Sequence, residues 1–142
     1  MAEQLSVFLQ NESGKIASVA SLLAAGGFDI RALSIADTKD FGVLRMLVSD
    51  ARRAQTLLRE AHCIVSVTEV TVVAVPDAPG GLARLLTLLS EAQVNIEYMY
   101  SLIGHAAGRA YMVFRVSEEA KLLALLRENG LSVVSGEELG LR

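Results

Sequence analysis

The sequence predicts an α+β protein in which one βαββαβ unit occurs twice along 142 residues. The chain aligns with itself at a constant offset of 66 positions, so that residues 14 and 80 fall together. Each half also alternates short β-branched and apolar runs with amphipathic helical stretches in the same order. We therefore expect two domains, residues 1–68 and 69–142.

The internal repeat pairs NESGKIASVASLLAAGGFDIRALSI with DAPGGLARLLTLLSEAQVNIEYMYS, and the alignment needs no gap to the end of both halves. Chance similarity between two apolar stretches explains this less well, because glycines and predicted strand ends also coincide. The identities include Glu3/Glu69, Val7/Val73, Gly14/Gly80, Ala17/Ala83, Leu22/Leu88, Leu23/Leu89, Ile30/Ile96, Gly42/Gly108, Met46/Met112, Ala54/Ala120, Leu57/Leu123 and Ser66/Ser132.

The first copy contains a complete series of elements. Asn11 and Ser13 offer capping side chains to a first helix, and Gly26-Gly27 stops that helix. Thr38-Lys39-Asp40 form a turn between the two middle strands. The expected elements are strands at 4–10, 29–36, 43–48 and 64–68, a helix from about residue 14, and a helix at 51–62.

The second copy repeats this series as strand 70–75, helix 80–92, strands 95–103 and 109–116, helix 118–129 and strand 131–135. With right-handed crossovers, this order gives a four-stranded antiparallel sheet with both helices on one face, the ferredoxin-like arrangement. Strands 70–75 and 111–114 are apolar at nearly every position, so both faces of the sheet are expected to be covered. We expect the two repeats to pack together.

Composition and charge exclude several classes of protein. The chain is 52% hydrophobic with a mean hydropathy of +0.43, which is typical of a globular protein. Its net charge is −3 and its basic residues are scattered apart from Arg52-Arg53, so we expect no nucleic-acid partner. A basic leader and a long apolar run are both lacking, which indicates a cytoplasmic protein without a membrane partner. Units of about 70 residues bury limited surface alone, so we expect a homodimer or higher homo-oligomer.

The sequence contains no recognisable catalytic constellation. His62 and Cys63 are neighbours that would point to opposite sides of an extended chain, and His105 is isolated in a turn. A single cysteine excludes an internal disulfide and a Cys-rich metal cluster. Neither GxxxxGK[ST] nor GxGxxG occurs, and the acidic pairs Glu118-Glu119 and Glu137-Glu138 have ordinary solvated roles. We expect no enzyme activity, no cofactor and no metal.

The two strand-to-helix loops, residues 11–15 and 77–81, are the remaining candidates for a site. Each loop places a short polar side chain at the strand end and a glycine, Gly14 or Gly80, where the helix begins. Free backbone N–H groups at the positive end of a helix dipole can face a carboxylate, and glycine allows close approach. The alternative is that these loops are simply capped helix starts.

Asp29 and Asn95 begin the second strand of each copy, which lies beside the first strand's end in some arrangements of this fold. An acceptor there could take an ammonium group while the loop amides take a carboxylate. Together the two positions fit an α-amino acid. Tyr98 and Tyr100 flank Met99 on the same strand of the second copy, where they either shape the pocket or belong to the core.

The run DAPGGLARLLTLLSEAQVNIEYMYS resembles the ACT domain, because a polar residue and Pro-Gly precede an amphipathic helix and Val-Asn-Ile opens the next strand. The first copy is similar, with Ser13 in place of the proline and Asp29 in place of the asparagine. The chain as a whole resembles stand-alone tandem ACT proteins. This resemblance implies an allosteric, regulatory protein that binds a free amino acid at a domain interface and adjusts an amino-acid metabolic enzyme.

The resemblance also implies which residues bind the ligand. They surround the two loops and the start of the second strand in each copy. The implied positions are Asn11 and Asp77, Gly14 and Gly80, and Asp29 and Asn95. With their neighbours, the expected ligand-binding residues are Asn11, Ser13, Gly14, Lys15, Asp29, Ile30, Asp77, Ala78, Pro79, Gly80, Gly81, Leu82, Asn95 and Ile96.

Two other functional classes compete with this interpretation. One is a protein-interaction or regulatory subunit of an enzyme that has no ligand site of its own. The other is an RNA-binding protein, because RNA recognition motifs share the βαββαβ order and GRAYMVFRV faintly resembles their aromatic strand motif. The first copy shows FGVLRMLV at that place and aromatic residues make up only 5%, which disfavours base stacking.

Overall fold

A computed structural model describes residues 1–10, 12–37, 41–104 and 108–142, and it confirms the twofold βαββαβ order. The predicted turn at 38–40 and His105 lie outside the described residues. The elements are β1 (Ala2–Gln10), α1 (Lys15–Ala25), β2 (Ile30–Asp37), β3 (Phe41–Val48), α2 (Ala51–Glu60), β4 (Ile64–Pro76), α3 (Gly81–Glu91), β5 (Ile96–Ser101), β6 (Arg109–Val116), α4 (Glu119–Glu128), β7 (Ser132–Val134) and a 3₁₀ helix (Glu137–Leu139).

The described residues form two compact units. One unit contains Ala2–Glu69 together with Gly136–Arg142, and the other contains Met1 together with Val70–Ser135. The strand β4 therefore contributes residues to both units. A division into functional domains at residues 68 and 69 stays a prediction.

The first unit has the strand order β2-β3-β1-β4, and β3 pairs antiparallel with both β1 and β2. Alternate residues of β1 and β3 point to one face of the sheet, where both helices pack on them. This helix-side core is built of Leu5, Val7, Val19, Leu23, Leu44, Met46, Val48, Ala51, Ala54, Leu58 and Val65.

The second unit repeats this arrangement with β5, β6, β4 and β7, in which β4 pairs antiparallel with β6 and β7. Its helices α3 and α4 again share one core with alternate strand residues. That core is built of Val73, Val75, Leu85, Leu89, Val94, Phe114, Val116, Leu122 and Leu126. Both units thus have the predicted ferredoxin-like architecture, with the helices on one face.

The opposite face of each sheet is also buried, as the apolar strands predicted. In the first unit, Gln4 and Leu47 are 0% exposed, and in the second unit Val72 and Val113 are 0% exposed. These residues alternate with the helix-side core residues, so they point away from the helices. On the helix side of β4, Thr71 is buried too, and its hydroxyl donates a hydrogen bond of 2.9 Å to Glu119 Oε1 at the start of α4.

The prediction of separate strands at 64–68 and 70–75 is wrong, because β4 runs unbroken from Ile64 to Pro76. The segment IVSVTEVTVVAV is rich in β-branched residues, which favour extended backbone. Glycine, proline and asparagine are lacking between its two halves, so nothing there turns the chain. The strand ends only at Pro76-Asp77.

The helix ends differ from the prediction in two places. Gly14 is the N-cap of α1 with no side-chain cap, so the expected capping by Ser13 is wrong, and Asn11 lies outside the described residues. Helix α2 ends at Glu60 and not at residue 62, because His62 takes a left-handed φ of 66°. The predicted stop of α1 is confirmed, with Gly26 as the C-cap and Gly27 at φ 78°.

The gap-free self-alignment is wrong beyond the second strand. Helices α1 and α3 begin 66 residues apart, at Lys15 and Gly81. Strands β3 and β6 begin 68 residues apart, as do α2 and α4, so the second copy has two more residues between its second and third strands. Met46 therefore corresponds to Phe114 and not to Met112.

A slip of two residues explains why this difference was hidden in the sequence. It leaves every strand residue on the same face of its sheet, since side chains alternate with a period of two. The identities Gly42/Gly108, Met46/Met112, Ala54/Ala120, Leu57/Leu123 and Ser66/Ser132 are consequently not structurally equivalent pairs.

Two identical substitutions test the corrected alignment. Ala54 is 0% exposed in the core, whereas Ala120, its gap-free partner, is exposed. We expect Ala54→Leu to lower the free energy of unfolding by about 1–3 kcal/mol through overpacking. We expect Ala120→Leu to change it by less than about 0.5 kcal/mol. Urea unfolding measures both, and equal costs would contradict the corrected alignment.

Candidate functional site

Both strand-to-helix loops present a left-handed glycine at the start of a helix. Gly14 and Gly80 are the N-caps of α1 and α3, with φ values of 86° and 88°. A Cβ atom added to either glycine would meet no heavy atom within 4 Å. Residues 12–15 of the first loop and 77–80 of the second are exposed. Neither glycine is therefore crowded at the position where a side chain would begin.

The first backbone amides of each helix are only partly used. Ser18 N and Arg84 N donate the first helical hydrogen bonds, of 3.0 Å each, to the glycine carbonyls of the N-caps. Lys15 N donates to Glu12 O at 3.4 Å, and Gly81 N donates to Ala78 O at 3.0 Å. By helix geometry, the N–H groups of residues 16–17 and 82–83 have no acceptor within the helix. These donors stand at the positive end of the helix dipole, which suits a carboxylate.

The two loops differ in the residue that follows the N-cap. In the second loop, a Cβ atom on Gly81 would lie deep inside van der Waals contact with the carbonyl oxygen of Pro76, so the helix start approaches the end of β4 closely. In the first loop this position is Lys15, whose Nζ lies 3.9 Å from Glu12 Oε2. Both of these side chains are largely exposed, so their ion pair is weak.

Asp29 and Asn95 lie far from the loop of their own repeat. Strand pairing places Asp37 and Leu9 opposite the same residue, Gly42, so the loop after β1 lies at the end of β2. Asp29 precedes β2 at its other end, about 25 Å away along an extended strand. In the second copy, Asn95 likewise precedes the far end of β5. The expectation that these positions lie beside the first strand's end is wrong within one repeat.

The backbone around Asp29 and Asn95 is held in the same way in both copies. Ser49 N donates to Asp29 O at 3.0 Å, and Ser117 N donates to Asn95 O at 3.1 Å. The Asp29 carboxylate lies 3.2 Å from Arg31 Nε and is 61% exposed. Ile30 and Ile96, which follow, are half-buried against the helix-side cores. The side chains of Asp29 and Asn95, with their acceptor oxygens, are therefore exposed to solvent.

The two tyrosines of β5 lie on the same side of that strand. Their ring centroids are 6.4 Å apart with an interplanar angle of 18°, so the rings stack. Tyr100 is only 8% exposed, whereas Tyr98 is half-buried. Of the two alternatives that the sequence left open for these tyrosines, burial in the core therefore applies to Tyr100.

Sequence reasoning missed a groove in the first unit. A groove of about 440 Å³ lies beside the first loop, and it is lined by Lys15 together with residues outside the predicted set, including Leu22, His62 and Cys63. The first-copy turn at 61–63 could have been found by aligning the repeats at 68 positions, which pairs His62 with Gly130. Within the described ranges, no three His, Cys, Asp or Glu side chains come together as metal ligands. None of the helices described here has the length and apolar character needed to cross a membrane.

The chain thus contains two ferredoxin-like units, and a left-handed glycine precedes the first helix of each. Residues 1–141 match the family model described as an ACT domain pair, and the chain belongs to this family. The resemblance found in the sequence is therefore confirmed.

The chain is similar to several known proteins. The acetolactate synthase small subunit of Haemophilus influenzae is 28% identical over 160 aligned residues, covering 97% of this chain and 98% of that protein. Protein BT0572 from Bacteroides thetaiotaomicron has a solved structure with a TM-score of 0.89 and 38% identity, covering 98% of this chain and 95% of that one. The regulatory subunit of aspartate kinase from Thermus thermophilus, at 16% identity, a TM-score of 0.68 and 90% coverage of both chains, shows the fold alone.

Proposed function

We propose that this chain is a non-catalytic, cytoplasmic regulatory protein that binds a free amino acid. The observation that carries the proposal is the doubled helix start, where Gly14 and Gly80 have nearly the same left-handed φ and no heavy atom within 4 Å of an added Cβ atom. The unused amides beside them take the carboxylate of the ligand. Membership in the ACT domain pair family supports this role.

Because Asp29 lies about 25 Å from the loop of its own repeat, a ligand site that uses both needs contributions from two copies of the chain. Strand β2 is at the edge of its sheet, and Leu33 and Ile35 on it are 42% and 50% exposed. Antiparallel pairing of two such edges would bury these apolar side chains. It would also bring Asp29 of one copy to the loop of the other, where its carboxylate can take the ammonium group. We therefore propose a homodimer or a higher homo-oligomer.

The same pairing applies to the second copy, with Asn95 and the loop at residues 77–81. Strand β5 is the edge strand of its own unit, and Asn95 is exposed just before it. Its amide oxygen can accept a hydrogen bond from an ammonium group, although it carries no charge. Both repeats therefore offer the same two kinds of group to an α-amino acid.

An enzyme of amino-acid metabolism is the proposed target of regulation. A relative that matches nearly the full chain is named as a small subunit of acetolactate synthase, which supports an enzyme partner for this chain. The Asp29–Arg31 ion pair favours the second candidate, an interaction subunit without a ligand site, because Arg31 competes with a ligand's ammonium group for the Asp29 carboxylate. Ligand screening separates the two candidates.

We expect at least one of the twenty amino acids to bind with a Kd between micromolar and millimolar, or about −4 to −8 kcal/mol. A sensor must respond to changing metabolite pools, so its affinity is moderate. At ligand concentrations of about 100 Kd, linkage stabilises the fold by roughly 2.7 kcal/mol. Thermal denaturation with each amino acid detects this, and an unchanged melting temperature with all twenty would favour the interaction subunit.

The second loop is expected to contribute more to binding than the first. Pro79 fixes its own φ before Gly80, so this loop loses less freedom when the ligand binds. We expect Gly80→Val to weaken amino-acid binding at least about tenfold, and Gly14→Val to weaken it less. Isothermal titration calorimetry on the folded variants measures both affinities.

Gly104→Val is the matched control for these two variants. Gly104 also has a positive φ, of 83°, and open space for a Cβ atom, so its replacement brings similar backbone strain at a glycine that does not begin a helix. We expect this control to bind the amino acid as the unmodified protein does. Equal losses in Gly80→Val and Gly14→Val would contradict the asymmetry, and unchanged binding in both would mean that the loops are only helix starts.

A further inference from the structure

A groove in the first unit lies between helix α1 and the turn that joins α2 to β4. Its volume is about 440 Å³, which falls within the range of small-molecule sites. Leu9, Val19 and Leu22 give it apolar walls, and Phe41 stands at its edge. Apolar walls with a few polar groups are the usual composition of a ligand pocket.

The same place is hollow in the second unit. A cavity of about 210 Å³ is lined there by Val75, Arg109, Gly130 and Leu131. At the corrected spacing, Arg109, Gly130 and Leu131 correspond to Phe41, His62 and Cys63 of the first groove. Because two repeats with different side chains leave this place open, the hollow is a property of the fold, and its lining side chains set what it can hold.

The lining of the first groove is cationic at its rim. Lys15, Ser18 and His62 line it, and its described lining contains no aspartate or glutamate. The Lys15 Nζ lies 3.9 Å from the Glu12 carboxylate and both side chains are exposed, so this ion pair is weak. The ammonium group of Lys15 can therefore bind the carboxylate of a ligand instead. His62 occupies a left-handed position, φ 66°, where the second copy has Gly130 at the same φ.

We propose that this groove binds an aliphatic monocarboxylate that carries no ammonium group. Lys15 takes the carboxylate, and the hydrocarbon chain lies on Leu9, Val19 and Leu22. An ammonium group in the same groove would face the like charge of Lys15, and the described lining residues include no aspartate or glutamate to attract it, which disfavours α-amino acids. Glu12, which pairs with Lys15, is not one of these lining residues. The ligand class thus differs from that of the loop site, although the groove shares Lys15 with the first loop.

Cys63 provides a direct measure of occupancy. It is the single cysteine of the chain, it is partly buried, and it lines the groove. We expect 4-methylpentanoate to slow its alkylation by iodoacetamide, read by intact mass, about tenfold at ten times Kd. Leucine and 3-methylbutylamine have the same branched skeleton and should protect much less. Equal protection by all three compounds, or no protection by 4-methylpentanoate, would overturn the proposal.

Two matched pairs of variants locate the site. Ser18→Phe fills the groove from an exposed position of α1, whereas Ser21→Phe adds the same ring at an exposed position of that helix outside the lining. Lys15→Gln removes the proposed cation, and Lys121→Gln removes a lysine that has the same i,i+3 acidic neighbour, Glu118 at 3.7 Å.

We expect Ser18→Phe and Lys15→Gln each to weaken 4-methylpentanoate binding about tenfold in calorimetry, with both controls unchanged. Wild-type affinity in both Ser18→Phe and Lys15→Gln would overturn the assignment. To distinguish the two sites, the amino acid that binds the loop site is also titrated into Ser18→Phe. Ser18 lies outside the loop, so this variant changes the groove and leaves the loop residues intact. Unchanged amino-acid binding with lost 4-methylpentanoate binding is the expected result.

Discussion

Gly81→Ala is expected to lower the free energy of unfolding by about 3 kcal/mol, the upper part of the range for overpacking. The new methyl group would collide with the carbonyl oxygen of Pro76, a backbone atom that cannot rotate away as a side chain can. The start of α3 and the end of β4 must then separate. Urea unfolding followed by circular dichroism measures the loss.

The sign of this change is diagnostic. In an unobstructed helix, glycine-to-alanine replacement stabilises by about 0.5–1 kcal/mol, so a destabilised Gly81→Ala variant reports the collision itself. Lys15→Ala is the control, since Lys15 holds the corresponding position in the first copy and is exposed. It should change stability by less than about 0.5 kcal/mol. A stabilised Gly81→Ala variant would show that the helix start moves freely.

Leu23→Ala and Leu89→Ala are each expected to lower the free energy of unfolding by about 3–4 kcal/mol. Both leucines are 0% exposed, at corresponding places in α1 and α3, and truncation leaves a cavity in the core beneath each helix. The expected fall in melting temperature is about 6–15 °C, as followed by calorimetry. Ile16→Ala, at a residue that is 40% exposed on α1, is the control and should cost much less.

The same pair of variants tests whether the repeats unfold independently. Strand β4 contributes residues to both compact units, so we expect a single cooperative transition that both variants shift by a similar amount. Two transitions, with each variant lowering only one of them, would instead support independent domains at residues 1–68 and 69–142. Calorimetric and van 't Hoff enthalpies that disagree would point the same way.

The fold was predictable because its signals are local. The apolar spacing of Val19, Leu22 and Leu23 identified α1, and alternating strands gave the element order. The number of residues that connect the second and third strands of each copy could not be predicted from such local signals. The extra two residues before β6 escaped notice because a strand looks the same after a shift of two. The element bounds reveal them, and the burial of Ala54 against the exposure of Ala120 agrees.

The candidate site was predictable in its parts and not in its arrangement. Glycine at the start of each helix was evident from the repeat, and the structure gives Gly14 and Gly80 the left-handed backbone that only glycine adopts readily. The distance from Asp29 to the loop depends on strand direction and register, which no motif encodes. The groove was missed for a related reason, since His62 belongs to a turn that the sequence placed inside a helix.

The exchange of chain ends between the two compact units has a consequence for biosynthesis. Gly136–Arg142 belong to the unit of the first repeat, where Leu139 is 7% exposed and Arg142 N donates to Ser49 O at 3.0 Å. A ribosome makes these residues only after the whole second repeat has been translated. The unit of the first repeat therefore cannot complete its packing until residues 136–142 have left the ribosome. A nascent chain halted before Gly136 would expose the surface that these residues cover.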